Sequence, residues 1–371
     1  MSEAISRKIV DDLVYLIRCA VNGTEVDRDR AGAMDMAALY AAAEKHLLTA
    51  VTAMALESAG IRDEAFTQAR GKAIRKVAAM DMDRAAFLDE LEKKGIWHMP
   101  LKGAVMKDLY PRLGMRQMSD NDILLDPSRM AEAGAILERM GFACEHRSSA
   151  HVVYNKAPVS SFELHHRLFG ADQGHRIYRY YKDVKTRLIR DEGTRERYHF
   201  SDEDFYVYMV AHENKHYREG GTGLRSLLDT YVYCRQKGQD LDWTYIGEQT
   251  EELGIRDFEE RIRSLALHLF GEESLTEDEE SMLAYILSSG TYGTMQHKVS
   301  SKVEKFGGGR SGKFRYVLSR VVLPMDTVRT VYPTFARVPV LLTFLPIWRL
   351  LRGLRSRRKK LAGEWKTLKD K

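Results

Sequence analysis

Two aspartates, Asp120 and Asp122, sit two positions apart in Ser119-Asp120-Asn121-Asp122-Ile123-Leu124-Leu125. The residues after the pair are apolar and branched, as a buried strand requires. Positions two apart on a strand share a face, so the spacing predicts that both carboxylates project together where a strand begins. Two acids forced together raise each other's pKa unless a cation lies between them. A hard divalent cation with oxygen ligands fits that need. The alternative is a solvated turn in which Asp120 and Asn121 end a helix and Asp122 caps the strand. A third carboxylate, Glu163, is flanked by Phe162 and Leu164 in the apolar run from Ser160 to Leu164. An acid inside a buried strand needs a compensating charge. A metal held by the aspartate pair would supply it; exposure to solvent, or pairing with His165 or Arg167, would serve as well.

The elements that must position these acids are legible on either side. Gly95-Ile96-Trp97-His98-Met99 reads as a short strand, Leu101-Lys102-Gly103 as a turn, and Ala104 to Leu109 as a helix start. Strand, glycine, helix N-terminus is an arrangement that offers backbone N–H groups to phosphate, and a glycine lets the backbone come close to the anion. Lys102 adds a point charge. Downstream, Arg129 to Met140 has helical periodicity and stops at Gly141-Phe142. Phe142 to Arg147, His151 to Tyr154 and Ser160 to Leu164 read as strands, with Pro158 as a turn signal between the last two.

In this order, Leu101-Lys102-Gly103, Tyr110, Arg116-Gln117-Met118-Ser119-Asp120-Asn121-Asp122, a helix ending in Gly141-Phe142, and Glu163-Leu164-His165 resemble the uncharacterised bacterial nucleotidyltransferase family related to the polymerase-β-like nucleotidyltransferases. The resemblance is close from about Ile96 to Leu168 and looser to about residue 345. The chain departs from the best-known members of that superfamily in having Lys102-Gly103 where they carry a Gly-Ser pair. The resemblance implies an α+β fold, a small mixed sheet flanked by N-terminal helices and a C-terminal helical domain. It implies transfer of an NMP group from an NTP to a hydroxyl or phosphate acceptor on a small molecule, sugar or protein, with release of pyrophosphate. It also implies Asp120, Asp122 and Glu163 as catalytic ligands of two Mg²⁺ ions. Lys102, Gly103, Arg116 and Ser119 would then contact the nucleotide. A catalytically inactive nucleotide-binding module of the same fold is the alternative.

The rest of the chain frames this core. Residues 1–94 read as a helical layer, with helices from about Ser6, at Asp35–Glu44, at Leu47–Ala59 and from Asp63 or Glu64 to Lys94, stopped by Gly95. His46 reads as a packing residue. The core would span 95–190 and a helical C-terminal region 200–371. His175 to Arg197, rich in Arg, Tyr and Lys, reads as a solvated connection rather than a basic flap. Ser201-Asp202-Glu203-Asp204 opens a helix with a cap and acids in its first turn.

Two motifs point elsewhere. His212-Glu213-Asn214-Lys215-His216 matches the zinc-hydrolase pattern H-E-x-x-H, which on a helix puts both histidines on one face; no third ligand is evident. The resemblance instead makes His212, His216, Arg225 and Asp229 a polar network between helical region and core. Gly307 to Phe314 matches a phosphate-binding loop but ends in Phe where the metal-binding hydroxyl belongs, so a flexible basic loop is expected.

With 371 residues and a formal net charge of +5, the chain reads as soluble and globular. Arg349 to Lys371 holds ten Lys or Arg against two acids, which leaves the body mildly acidic. With the apolar stretch Val338 to Trp348, this basic end suits either peripheral contact with an anionic membrane surface through 338–360 or packing on the body. Sequence-specific nucleic-acid binding is not expected, because the basic run lacks interleaved aromatics apart from Trp348 and Trp365. Cys19, Cys144 and Cys234 form no metal or disulfide spacing, which suits a cytoplasmic setting. The N-terminus lacks the apolar core of a signal peptide, and no run of ~18 apolar residues predicts a membrane span.

Overall fold

The computed structural model describes residues 6–148, 151–170 and 173–290, with isolated positions beyond 290. The motif at 307–314, the apolar stretch at 338–348 and the basic end lie, apart from those positions, outside the described residues. The chain divides into two units, one of Met1–Asn214 with Gly223–Thr291, the other of Lys215–Thr222 with Tyr292–Lys371. The fold is α+β.

In the first unit, helices α1 (Arg7–Asn22), α2 (Arg28–Gly32), α3 (Met36–Lys45) and α4 (Thr49–Ser58) precede the long α5 (Glu64–Lys94). Each start and stop has a local cause. Ser6, Asp27, Asp35 and Asp63 cap the N-termini of α1, α2, α3 and α5 through side-chain oxygens, and Gly95 ends α5 in the left-handed conformation. Residues 49 to 56 of α4 are all buried, as an all-round apolar helix must be. His46 is fully buried, accepts from the Leu224 N–H at 3.3 Å, and is driven to about 3 by burial, so it is a neutral packing residue.

The sheet follows, from β1 (His98–Pro100), β2 (Asn121–Leu125), β3 (Ala143–Arg147), β4 (His151–Lys156) and β5 (Ser160–His165), in the order β1-β2-β5-β4-β3. Only β2 and β5 run parallel. Between β1 and β2 lie the short α6 (Gly103–Met106) and a 3-10 turn at 107–109, and between β2 and β3 lies α7 (Met130–Arg139). One sheet face is apolar. Ile123 and Leu125 of β2, Phe162 and Leu164 of β5, and Val152 and Tyr154 of β4 pack against Phe87, Leu88 and Leu91 of α5 and Ala133, Ile136 and Leu137 of α7. By strand alternation, the opposite face receives Asp122, Leu124, Glu163, His165, His151 and Val153.

The segment expected to be a solvated connection is instead built into the unit. α8 (His175–Tyr181) buries Tyr180 and Tyr181, and the ring of Tyr181 lies 5.0 Å from that of Phe169. β6 (Ile189–Arg190) and β7 (Tyr198–His199) form a hairpin, and His98 on β1 donates its N–H to the Glu196 carbonyl. Its tyrosines, read as polar, spend their rings on packing. The helices α9 (Asp202–Glu219), α10 (Leu224–Lys237), α11 (Trp243–Leu253), α12 (Arg256–Gly271) and α13 (Glu277–Ser289) complete the described elements. Ser201 Oγ accepts from the Asp204 N–H at the start of α9. In the second unit, the N–H groups of Gly220 and Gly221 close the end of α9 on the His216 carbonyl. Among the described residues, no helix is long and apolar enough to cross a membrane.

Candidate active site

Asp122 faces one way because the residue before it is tied the other way. Asn121 is fully buried, donates Nδ2 to the Met80 carbonyl at 3.1 Å and accepts from Arg84 Nη1 at 3.0 Å. Both partners belong to α5. Asp122, next along β2, therefore projects from the opposite face of the sheet, while Asp120 precedes the strand and is close enough to Asp122 to be raised by its charge.

On that face Asp122 stands in register with Glu163 of the parallel strand. His165 follows two positions after Glu163, and its Nε2 lies 2.7 Å from Asp122 Oδ1 and 3.6 Å from Glu163 Oε2. Lys102 Nζ lies 3.1 Å from the same Asp122 oxygen. His151, opposite His165 on β4, brings Nε2 to 4.0 Å from Glu163. Tyr208 of α9 is buried, and its phenol is raised by burial and by the charges of Asp122 and Glu163, against the opposing charge of Lys102. Asp122, Glu163 and His165 offer ligand atoms all within 4.8 Å of one another. They are the one such set of three among the described residues.

The charges differ sharply across this cluster. Burial opposes ionisation of Asp122, but the Lys102 ammonium and the His165 hydrogen bond hold its carboxyl well below the usual range. Asp120 is raised instead, first by burial and then by Asp122, with Lys102, Arg225 and Lys76 only partly offsetting the two. The pair repels as two crowded carboxylates must. Lys102 is held above its ordinary value by Asp122, Tyr208 and Asp120, against burial.

Lys102 also carries backbone strain, with φ 42° and ψ −110°. That conformation is disfavoured for any residue with a Cβ, and such outliers concentrate at functional sites. The positive φ falls on Lys102 rather than on Gly103. Gly103 serves close packing: a Cβ there would meet Arg116 Nη1 at 2.6 Å and the Met118 thioether at 2.9 Å. The N–H groups after Gly103 differ from the expected anion cradle. Those of Ala104, Val105 and Met106 donate to the carbonyls of Leu101 and Lys102, because the turn is too tight to leave them open.

Arg116 is buried and makes a two-pronged pair with Asp229 of α10, Nε to Oδ1 and Nη2 to Oδ2, each 2.8 Å. Tyr110 donates to the same carboxylate at 2.8 Å. Arg225, one turn earlier on α10, donates to the Gln117 carbonyl at 3.0 Å, and Lys76 of α5 donates to that of Ser119 at 3.0 Å. Arg225 and Asp229 thus tie the helical region to the loop that enters β2. His212 packs its ring 6.1 Å from that of Tyr208. Glu213 is buried, accepts from Thr230 Oγ1 at 3.3 Å and is pushed up to about 8 by its surroundings, burial first.

The residues that sequence reasoning assigned no site role are His165 and Tyr208. Strand periodicity could have found the first, since Glu163 and His165 alternate onto one face.

A family model described as "Uncharacterised nucleotidyltransferase" matches residues 32–271. The chain belongs to that family. No curated protein and no solved structure matches it.

Proposed function

We propose that this chain is a Mg²⁺-dependent nucleotidyltransferase that moves an NMP group from an NTP to a hydroxyl or phosphate acceptor and releases pyrophosphate. The observation that carries the reading is the register of Asp122 with Glu163 on one polar sheet face, with Asp120 raised by its neighbour at the same place. That donor set fits divalent cations: oxygen ligands, mutual repulsion awaiting a positive charge, and a buried position. Asp120, Asp122 and Glu163 would hold the ions, with His165 beside them. Two bound Mg²⁺ ions supply charge stabilisation at the attacking and leaving oxygens.

The side chains carry the remaining tasks. Lys102, held charged beside Asp122, would offset the negative charge that grows on the transferring phosphoryl group. Gly103, Arg116 and Ser119 keep the turn and the strand entry in the shape that presents Lys102 and the acids. Glu163 would complete the metal site nearest the attacking acceptor oxygen. The acceptor is a small molecule, a sugar or a protein.

The test is incubation of the full chain with each α-labelled NTP, Mg²⁺ and a cell extract. Labelled product from wild type, and none from Asp122→Asn or Glu163→Gln chains that keep the wild-type circular dichroism, is the expected result. Label transfer that persists in both variants overturns the proposal.

A further inference from the structure

One ring nitrogen stands between the carboxylates of two strands. β2 and β5 run parallel with Asp122 opposite Glu163, and His165, two positions on, shares the face of Glu163. His165 Nε2 thereby comes to 2.7 Å from Asp122 Oδ1 and 3.6 Å from Glu163 Oε2. With metal–ligand bonds of about 2.1 Å, neighbouring ligand atoms on one octahedral ion stand about 3 Å apart. The two separations lie on either side of that value. Strand pairing fixes the backbone of all three residues, so small side-chain rotations close the set on one ion.

An imidazole that only steers a carboxylate has to meet one oxygen. This one approaches, with a single atom, both of the acids that the nucleotidyl-transfer reading gives to metal. Burial favours the same outcome. Asp122 is 5% exposed and His165 7%. Mg²⁺ gives up its waters reluctantly and keeps to oxygen ligands, whereas imidazole nitrogen favours divalent first-row transition ions. Lys102, 3.1 Å from Asp122, adds a positive charge that any ion here must overcome. A nitrogen donor helps a transition ion to do so more than it helps Mg²⁺.

Resting on the nucleotidyl-transfer reading, and deepening it at its own metal site, we infer that His165 Nε2 is a ligand beside Asp122 and Glu163, and that this mixed nitrogen and oxygen site takes a divalent first-row transition ion in preference to Mg²⁺. Ligation uses the Nε2 lone pair, with the ring proton on Nδ1. The second ion, on the Asp120 side, keeps oxygen ligands and remains a Mg²⁺ site.

The test is electron spin-echo spectroscopy of the full chain with one equivalent of Mn²⁺ and no nucleotide. Modulation from a directly bound imidazole nitrogen is expected in wild type, in an arm that does not depend on how any variant folds. His165→Gln should lose it, and His151→Gln, altered on the neighbouring strand, should keep it. Competition between Mg²⁺ and Mn²⁺, read from the free Mn²⁺ signal, separates ligation from steering. Ligation predicts that the preference for Mn²⁺ over Mg²⁺ falls about tenfold in His165→Gln; steering predicts equal losses for the two ions. Mn²⁺ bound without nitrogen modulation, modulation that persists in folded His165→Gln, or an unchanged preference would each overturn the inference. If wild type still transfers label from an α-labelled NTP, such a result leaves nucleotidyl transfer standing. A wild-type chain that binds neither Mn²⁺ nor Mg²⁺ overturns both.

Discussion

His165 Nε2 lies 2.7 Å from Asp122 Oδ1 and 3.6 Å from Glu163 Oε2, so one imidazole bridges carboxylates from two parallel strands. A partner that orients a metal-binding carboxylate, or joins it as a ligand, tunes the site in either role. His165→Gln is expected to weaken Mn²⁺ binding about 10- to 100-fold, measured by the free-ion signal in electron paramagnetic resonance titration. Unchanged Mn²⁺ affinity would remove His165 from the site.

Gly103 tests packing against substrate contact. Its missing Cβ leaves room for Arg116 and Met118, and Arg116 cannot yield because Asp229 holds it from two sides. Gly103→Ala should therefore destabilise the fold by about 1–3 kcal/mol, the usual cost of overpacking, seen as a lower urea midpoint. A variant of wild-type stability would show that the packing adapts and that the glycine is present for another reason.

The aspartate pair was legible because a strand has period two and Ile123-Leu124-Leu125 announces one. What turns Asp122 to the polar face of the sheet was not legible: Asn121 is tied to Met80 and Arg84, and no local pattern links residues 37 to 41 positions apart. Helix ends at Asp35, Asp63 and Gly95 were readable because caps are local chemistry. Arg116 was expected to meet the nucleotide, and the residue that binds it, Asp229, stood in a helix already marked as polar. Their pairing is a tertiary contact, invisible until α10 docks on the core. Tyr208 had no signal at all, since its place beside Lys102 depends on how α9 packs. The stretch 175–197 misled because Arg and Tyr look polar while their rings and stems pack.

The Arg116–Asp229 pair makes a prediction about stability. Both side chains are buried, and a buried charge that loses its partner is costly. Asp229→Ala should cost about 3–5 kcal/mol, and it also strips the acceptor from Tyr110. Adding Arg116→Met to that variant should restore part of the loss, because the orphaned guanidinium is then gone. Urea unfolding of the two single variants and the double variant measures the coupling. Additive losses would mean that the pair is not coupled.

Glu213 links stability to pH. It is buried on α9, accepts from Thr230 Oγ1 at 3.3 Å, and is pushed from 4.5 up to about 8 by burial and by Asp229. Below pH 4.5 the carboxyl is protonated in both folded and unfolded chains and contributes no slope. Between about 4.5 and 8 the unfolded chain releases its proton while the folded chain keeps it. The unfolded state then binds fewer protons, so stability falls as pH rises, by roughly 1.4 kcal/mol per pH unit at most. Above about 8 both forms are ionised and the penalty is complete. Glu213→Gln keeps the shape and removes the proton, so it should flatten this part of the stability profile and gain most over wild type at the alkaline end. Urea midpoints measured from pH 5 to 9 on both chains decide it: parallel profiles would mean that Glu213 ionises normally in the folded protein.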